Sequence, residues 1–371
     1  MESYNIYNLE FHNMFAVVMA GGNGTRFWPL STISNPKQLL NLTTDGTLIQ
    51  KTVSRITPLI PEQNIFIVTN TFQREELRRQ VSEVSAIPSR NIIVEPVGRS
   101  TLPCIGLAAL YIKSLEQSST MTVLPSDHFI RDEGRFLQLL CYAQKVVQEH
   151  DCLVTLGIKP SRPETGYGYI SLKNRIYSIN GTDIFKAEQF TEKPDRQTAT
   201  EFLASGKHLW NSGMFVWRTS TLLKMIERFA PDISVELSKI EAVIGTPHEQ
   251  RVIQEIYPQM RSISVDYAIM EKADNVLVIP ADFGWSDIGS WAAIDEVWQK
   301  DANSNACMSQ HIGIDTSGCT IYSDKLVATI GLEDVAIIET EKALLVCPKS
   351  RAQEVKIIVE RLEQEGLDEY L

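Results

Sequence analysis

The chain has 371 residues, 43% hydrophobic and 22% charged, enough apolar side chain for a sizeable core and too much for wholesale disorder. Its 35 Lys and Arg stand against 46 Asp and Glu, a formal net charge of −11 that opposes broad nucleic-acid or anionic-membrane binding but not one local basic cleft. At ~150 residues per domain the length implies about two domains. Six cysteines, at 104, 141, 152, 307, 319 and 347, form no CxxC and no metal-ligand spacing, which reads as reduced core thiols. The start carries no positive, cleavable leader, and the apolar runs at 14–20 and 102–112 fall short of the ~20 residues that span a bilayer. A cytoplasmic protein is expected, with no membrane or nucleic-acid partner.

In chain order, residues 1–13 read as a polar N-terminal extension. Met14–Ala20 is continuously apolar and rich in β-branched residues, the pattern of a parallel strand buried on both faces. Residues 64–69 and 120–125 repeat it. Between and after them, Leu77, Val81 and Val84, then residues 102–115, then Phe136, Leu140, Ala143 and Val147, mark helices. This alternation predicts an α/β fold with a mainly parallel sheet. Farther on, 153–158, the segment beginning at 166–170, 184–190 and 211–217 read as strands, with a helix over 195–205. Beyond a polar connector at 301–306, four short apolar segments (319–322, 326–330, 335–338 and 343–346) predict a small β-structure. Ser350 and Gln353 read as a capping box opening a last helix, with Val355, Ile358, Val359 and Leu362 on its apolar stripe. The predicted division is 14–300 and 301–371.

The sharpest local signal is Gly21-Gly22-Asn23-Gly24-Thr25-Arg26, directly after the first strand. Three glycines in four residues let backbone N–H groups approach a phosphate or a flat base. The loop lacks the Gly-Lys-Ser/Thr end of a Walker sequence, and Phe27 stands where the dinucleotide fingerprint needs a small residue. A glycine turn alone would carry little. Arg26 and Lys37 add two cations to whatever the glycines cradle.

Gly21 to Arg26, followed by Trp28-Pro29-Leu30-Ser31 and Pro36-Lys37-Gln38, resembles the signature of the sugar nucleotidyltransferases, in the form most similar to bacterial mannose-1-phosphate guanylyltransferases. Further blocks follow in family order across residues 14–347. They are Glu95-Pro96-Val97-Gly98-Arg99-Ser100-Thr101, Pro125-Ser126-Asp127-His128, Gly166-Tyr167-Gly168-Tyr169-Ile170, Thr191-Glu192-Lys193-Pro194, Asn211-Ser212-Gly213 and Trp285-Ser286-Asp287. The resemblance implies a Rossmann-like nucleotidyltransferase domain with a mixed, mainly parallel sheet, plus a small C-terminal left-handed β-helix-like domain that often makes dimer contacts. It implies GTP and mannose 1-phosphate as substrates, GDP-mannose and diphosphate as products, and a homodimer.

In such a reaction a phosphate oxygen of the sugar phosphate attacks the α-phosphorus of the nucleotide. A phosphate monoester has its second pKa near ~6 and is largely ionised at neutral pH, so neither a general base nor a covalent enzyme intermediate is required. Positioning and cation clamps carry the catalysis. By resemblance, Arg26 and Lys37 hold the triphosphate and Lys193 the sugar phosphate. Gly21, Gly22, Gly24 and Thr25, with Glu95, Arg99, Ser100 and Thr101, form the rest of the nucleotide site. Gly168, Glu192 and Asn211 face the sugar, and Asp127 and Asp287 hold Mg²⁺. Taken alone, an Asp after a strand reads as a cap or turn former, and a single Lys as a solvated charge. His128, with no second His at ligand spacing, reads as structural, and Trp285 and Trp291 as packing. Ser100 and Leu102 depart from the family's Asn and Ala, which leaves base selectivity open. No paired-histidine pattern follows residue 311, so isomerase activity is not expected. The alternatives are another nucleotide or hexose 1-phosphate, or a catalytically silent sugar-nucleotide sensor.

Overall fold

A computed structural model describes residues 13–22, 24–43 and 45–371; the expected N-terminal extension, apart from Asn13, lies outside the described residues. Nine strands form one sheet: β1 Met14–Ala20, β2 Ile65–Asn70, β3 Ile92–Glu95, β4 Thr120–Pro125, β5 Leu153–Ile158, β6 Gly168–Ile179, β7 Thr182–Glu192, β8 His208–Arg218 and β9 Val276–Ala281. Their order is β3-β2-β1-β4-β8-β5-β9-β7-β6, and β6 also pairs with β8. β1 lies between β2 and β4 and is parallel to both. β8 is antiparallel to β4 and β5, and β7 to β9 and β6; these two run against the rest. The sheet is therefore mixed and mainly parallel.

Alternation along β1 builds two cores. Met14, Ala16, Val18 and Ala20 face helices Leu48–Ile56, Arg74–Ser82 and Glu133–Glu149. Phe15 and Val17 face helix Thr101–Leu115 and, behind it, helices Thr219–Phe229, Pro231–Glu241 and Glu249–Ile256. The last three carry the outer layer of the second core and explain why Thr101–Leu115 is apolar nearly all round: it is covered on both sides. The helix Leu48–Ile56 opens with a true capping box, Gln50 Oε1 accepting from the Thr47 N–H at 3.0 Å.

After residue 305 the chain makes six short strands, two more than the apolar pattern marks. Ala306–Met308, Thr320–Tyr322 and Val335–Glu339 pair in parallel, with Ala306, Thr320 and Ala336 in line, as on successive rungs of a β-helix. Leu344–Pro348 closes that sheet antiparallel, and His311–Ile314 pairs in parallel with Val327–Ile330. The final helix, Val355–Gln364, does not begin at Ser350. Lys349–Glu354 is a 3-10 turn without a side-chain cap, because Lys349 Nζ is drawn onto Asp295 at 2.5 Å and onto the Gly318 carbonyl at 2.8 Å. That tightens the entry and puts Ser350 inside the turn. Val355 and Val359 are buried as expected, whereas Ile358 is exposed.

A third core ties this β-structure to the loop after β1. Phe27, Trp28, Leu42, Ile288, Trp291 and Trp298 pack with Ala306, Ile338, Ala352, Val355 and Val359. Three indole N–H groups stitch it to backbone carbonyls: Trp28 to Tyr370 at 2.8 Å, Trp291 to Trp28 at 3.1 Å, and Trp298 to Leu42 at 2.8 Å. Trp291 is wholly buried, its ring centroid 4.9 Å from that of Phe27. Trp291→Ala should cost about 3–5 kcal/mol through the cavity it opens and the carbonyl it strands. Urea unfolding followed by far-UV dichroism measures this, and a loss below about 1 kcal/mol would show that Trp291 does not brace this core.

Candidate active site

β1 ends at Ala20, and buried amides hold the turn that follows. The Gln38 side-chain amide donates to the Ala20 carbonyl at 3.2 Å and the Gly22 carbonyl at 3.0 Å, and Gln73 donates to Gly22 at 3.3 Å. Gly24 has φ +60, and a Cβ there would lie 2.5 Å from Lys37 Cβ and 2.6 Å from the Lys37 nitrogen. Only glycine permits this contact. It is what brings the glycine loop and Lys37 to one wall of a cleft of about 450 Å³, lined also by Thr25, Arg26, Asp127, His128 and Asp287.

Lys37 is buried in that wall. Its ammonium donates to Asp127 Oδ2 at 2.9 Å and to the Asp287 backbone carbonyl, so it joins the end of β4 to the turn after Trp285. An ammonium has three protons, which leaves one for a phosphate oxygen. Burial alone would raise the Asp127 carboxyl, but the Lys37 charge and hydrogen bond, with His128, bring it below the ordinary carboxylate value. His128 is pushed down by burial and accepts at Nδ1 from the Trp285 indole at 3.1 Å. Arg26 is exposed and has no hydrogen-bond or ion-pair partner among the described residues.

A second, adjoining cleft of about 590 Å³ is lined by Gly21, Gly22, Thr25, Glu95, Gly98 and Ser100, among others. Glu95 ends β3 and is buried. It accepts from the Tyr257 hydroxyl, and its Oε2 would stand 3.3 Å from a Cβ on Gly21. Burial pushes its carboxyl up to about 7, against the pull of the Tyr257 hydrogen bond. Ser100 is held at φ 64, ψ −173, a conformation that costs a non-glycine residue of order 1–3 kcal/mol. Arg99 and Thr101 point elsewhere. Arg99 donates to the Pro258 carbonyl, and Thr101 Oγ1 accepts from the Val265 N–H at 2.9 Å, so both brace the segment that carries Tyr257 and Asp266.

The sugar-side residues also converge. A Cβ on Gly168 would clash with Glu192 Oε2 and lie 3.4 Å from Asn211 Cβ. Lys193, at φ 47, pairs with Glu192 at 2.6 Å, and its N–H donates to the Tyr167 carbonyl at 3.1 Å. The Tyr167 hydroxyl donates to Asp287 Oδ1, which links this cluster to the carboxylate cleft. Asp266 is the acid that motif reading missed. It accepts from Asn211 Nδ2 at 2.7 Å, and burial followed by the Glu192 charge raises it to about 6. Its signal was a single carboxylate in the otherwise apolar stretch Val265 to Met270. Tyr167 lay inside a quoted block but was passed over for its glycine neighbour, and Tyr257 had no local signal at all.

The sequence matches the family model "Nucleotidyl transferase" over residues 15–304. The chain belongs to that family. Residues 309–362 match the "MannoseP isomerase/GMP-like beta-helix domain". Xanthan biosynthesis protein XanB of Xanthomonas campestris pv. campestris (strain ATCC 33913) is 38% identical over 358 residues, 96% of this chain and 75% of that protein. Mannose-1-phosphate guanylyltransferase of Escherichia coli K12 is 37% identical over 361 residues, with the same shares covered. The crystal structure of mannose-1-phosphate geranyltransferase from Thermus thermophilus matches with a TM-score of 0.83 at 32% identity, covering 95% of this chain and 99% of that one. This protein is thus a nucleotidyltransferase, with its family's C-terminal β-helix-like structure. Among the described residues no helix is long and apolar enough to cross a membrane.

The buried Glu95 has a measurable consequence. Its folded pKa of about 7 lies above its ordinary value of 4.5, so its contribution to stability is full below pH 4.5 and is lost as pH rises through 7. Glu95→Gln keeps an acceptor for Tyr257 without the ionisable group. In thermal melts the ligand-free variant should gain on wild type between pH 5 and 8; parallel Tm–pH curves would show that Glu95 is not perturbed.

Proposed function

We propose that this nucleotidyltransferase joins GTP to mannose 1-phosphate, releasing diphosphate and GDP-mannose. The observation that carries the reading is a continuous line of groups. It runs from the Glu95 cleft past Arg26 and Lys37 to Asp127 and Asp287, and through Tyr167 to Lys193, Glu192 and Asn211. Guanine offers adjacent N1–H and N2–H donors, which one carboxylate accepts together, and Glu95 stands beside the Gly21 backbone where a flat base fits. Deprotonation of Glu95 on binding then favours the ionised acceptor. At the other end, Glu192, Asn211 and Asp266 supply acceptors and an amide donor for hexose hydroxyls, and Gly168 lets the Glu192 carboxylate lie close against the backbone. Arg99 and Thr101 act in this reading as braces for the base cleft.

Lys193 releases Glu192 and holds the sugar phosphate, one oxygen of which forms a bond to the α-phosphorus. The bond from that phosphorus to the bridging oxygen breaks, and the electron pair leaves with diphosphate. Arg26 and the third proton of Lys37 hold the departing oxygens. A divalent cation, Mg²⁺ in this reading, fits the remaining donors. Asp127 Oδ1 and Asp287 Oδ2 accept no hydrogen bond among the described residues, and both are hard oxygen ligands on one cleft. No group of three or more His, Cys, Asp or Glu gathers among the described residues, so phosphate and water would complete the shell. When bound, the cation neutralises phosphate charge. In this reading the protein works in the cytoplasm.

The test is a panel crossing four nucleoside triphosphates with several hexose 1-phosphates, with Mg²⁺ or with chelator, scored by diphosphate release. Release should require GTP, mannose 1-phosphate and the metal together. A preference for another pair would redirect the specificity, and no release with any pair would favour the silent sensor.

We also propose a homodimer through the β-structure. Ile314 is in register with Ile330; Ile312 precedes the first on its strand, and Leu326 stands just before the second strand. All four are between 57% and 72% exposed, an apolar ladder of the kind that marks an interface. Light scattering should report a dimer for wild type and a monomer for the pair Ile314→Glu with Ile330→Glu. A monomeric wild type at micromolar concentration would reject this surface.

A further inference from the structure

We propose that Lys356, on the C-terminal helix, is a substrate-binding residue of the nucleotide site, holding the β,γ-phosphates that leave as diphosphate. Lys356 lines the same cleft as Gly24, Arg26, Lys37, Asp127 and Asp287, although it lies far from them in sequence. Its helix is fixed there. Val355 and Val359 are buried against the core containing Phe27 and Trp28, and the Trp28 indole donates to the Tyr370 carbonyl beyond the helix. Lys356 follows the buried Val355 and is itself exposed to the cleft. Among the described residues it has neither an ion-pair nor a hydrogen-bond partner, and Glu360, one turn on, does not pair with it. Val359 and Glu363, which share its helix face at i+3 and i+7, line the adjoining base cleft. One helix face therefore runs past both halves of the nucleotide site.

Charge gives the reason for a cation at this place. In the phosphate cleft the charges of Arg26 and Lys37 are offset by those of Asp127 and Asp287. Lys356 is the third Lys or Arg of that lining and tips the balance of its side chains to positive where a nucleoside triphosphate would bind. A lysine in the first turn also opposes the helix macrodipole, and a bound anion would remove that conflict. When the sugar-phosphate oxygen bonds to the α-phosphorus and the bond to the β-phosphate oxygen breaks, negative charge grows on the departing diphosphate. An ammonium beside it acts more strongly then than on bound GTP.

The inference rests on the GTP reading above, and the experiment separates the two. Lys356→Ala should lower kcat/KM for GTP by about 10- to 100-fold and raise the KM for diphosphate in the reverse reaction. The KM for mannose 1-phosphate should stay within about twofold. Lys356→Arg should recover most of the loss, and titration calorimetry with inorganic diphosphate should show weaker binding to Lys356→Ala than to wild type. Equal losses toward both substrates, no rescue by arginine, or unchanged diphosphate affinity would each overturn the assignment. Should the alanine variant melt early, Lys356→Gln carries the same comparison. A wild type inactive with GTP would refute the underlying reading instead.

Discussion

The buried ammonium of Lys37 is the constraint around which the site is arranged. It reaches Asp127 after β4 and the Asp287 carbonyl, while its own backbone presses on Gly24 so closely that no side chain fits. Three segments far apart in sequence are thus held at one point. A lone buried charge would cost several kcal/mol, and the pair alone need not stabilise the fold. What it secures is geometry: two carboxylates, a glycine loop and a free guanidinium on one wall. Positive-φ backbone occurs in each part of the site, at Ile288 beside Asp287 (φ 43), at Lys193 on the sugar side (φ 47) and at Ser100 in the second cleft (φ 64). Packing pays for these conformations elsewhere, as is usual where a ligand must be met in one arrangement.

The parallel half of the sheet is readable from sequence because β1, β2 and β4 are buried on both faces and so read as unbroken apolar runs. The antiparallel β8 was also visible as a strand, but its place between β4 and β5 was not, since pairing partners leave no local trace. Helices Thr219–Phe229, Pro231–Glu241 and Glu249–Ile256 each bury one stripe among polar residues, the same kind of signal as at Leu77 and Val81, so the sequence marks them although the readings above do not name them. The capping box is instructive. Thr47 and Gln50 form one that was not noticed, whereas Ser350 and Gln353 do not, because Lys349 is anchored on Asp295. Local pattern offers a cap; tertiary contacts decide whether it is used.

For the site, residues were legible where the chemistry sits in a contiguous block and illegible where it is assembled across the fold. Gly24, Lys37, Asp127 and Asp287 meet as their blocks suggested. Arg99 and Thr101 belong to such a block yet turn away, since a block marks a loop and not the direction of each side chain. Tyr257 and Asp266 come from two short helical turns, Tyr257–Gln259 and Asp266–Met270, and each stands beside a residue of a block, Glu95 or Asn211, a proximity that no spacing records.

The C-terminal β-structure is then more than a neighbour of the sheet. Trp28 belongs to the core that fixes Val355 and Val359, and it also lines the base cleft; its carbonyl receives Trp291, and its indole holds Tyr370. The last helix and the residues that follow the glycine loop, Phe27 and Trp28, share that core. An acidic protein that must bind a polyanion has to confine its positive charge, and it does so by drawing cations from both ends of the chain. The loop after β1 supplies Arg26 and Lys37, and the fold returns the C-terminal helix to the same cleft. The third core is what keeps those two ends together, so nucleotide affinity and the integrity of that core should rise and fall as one property.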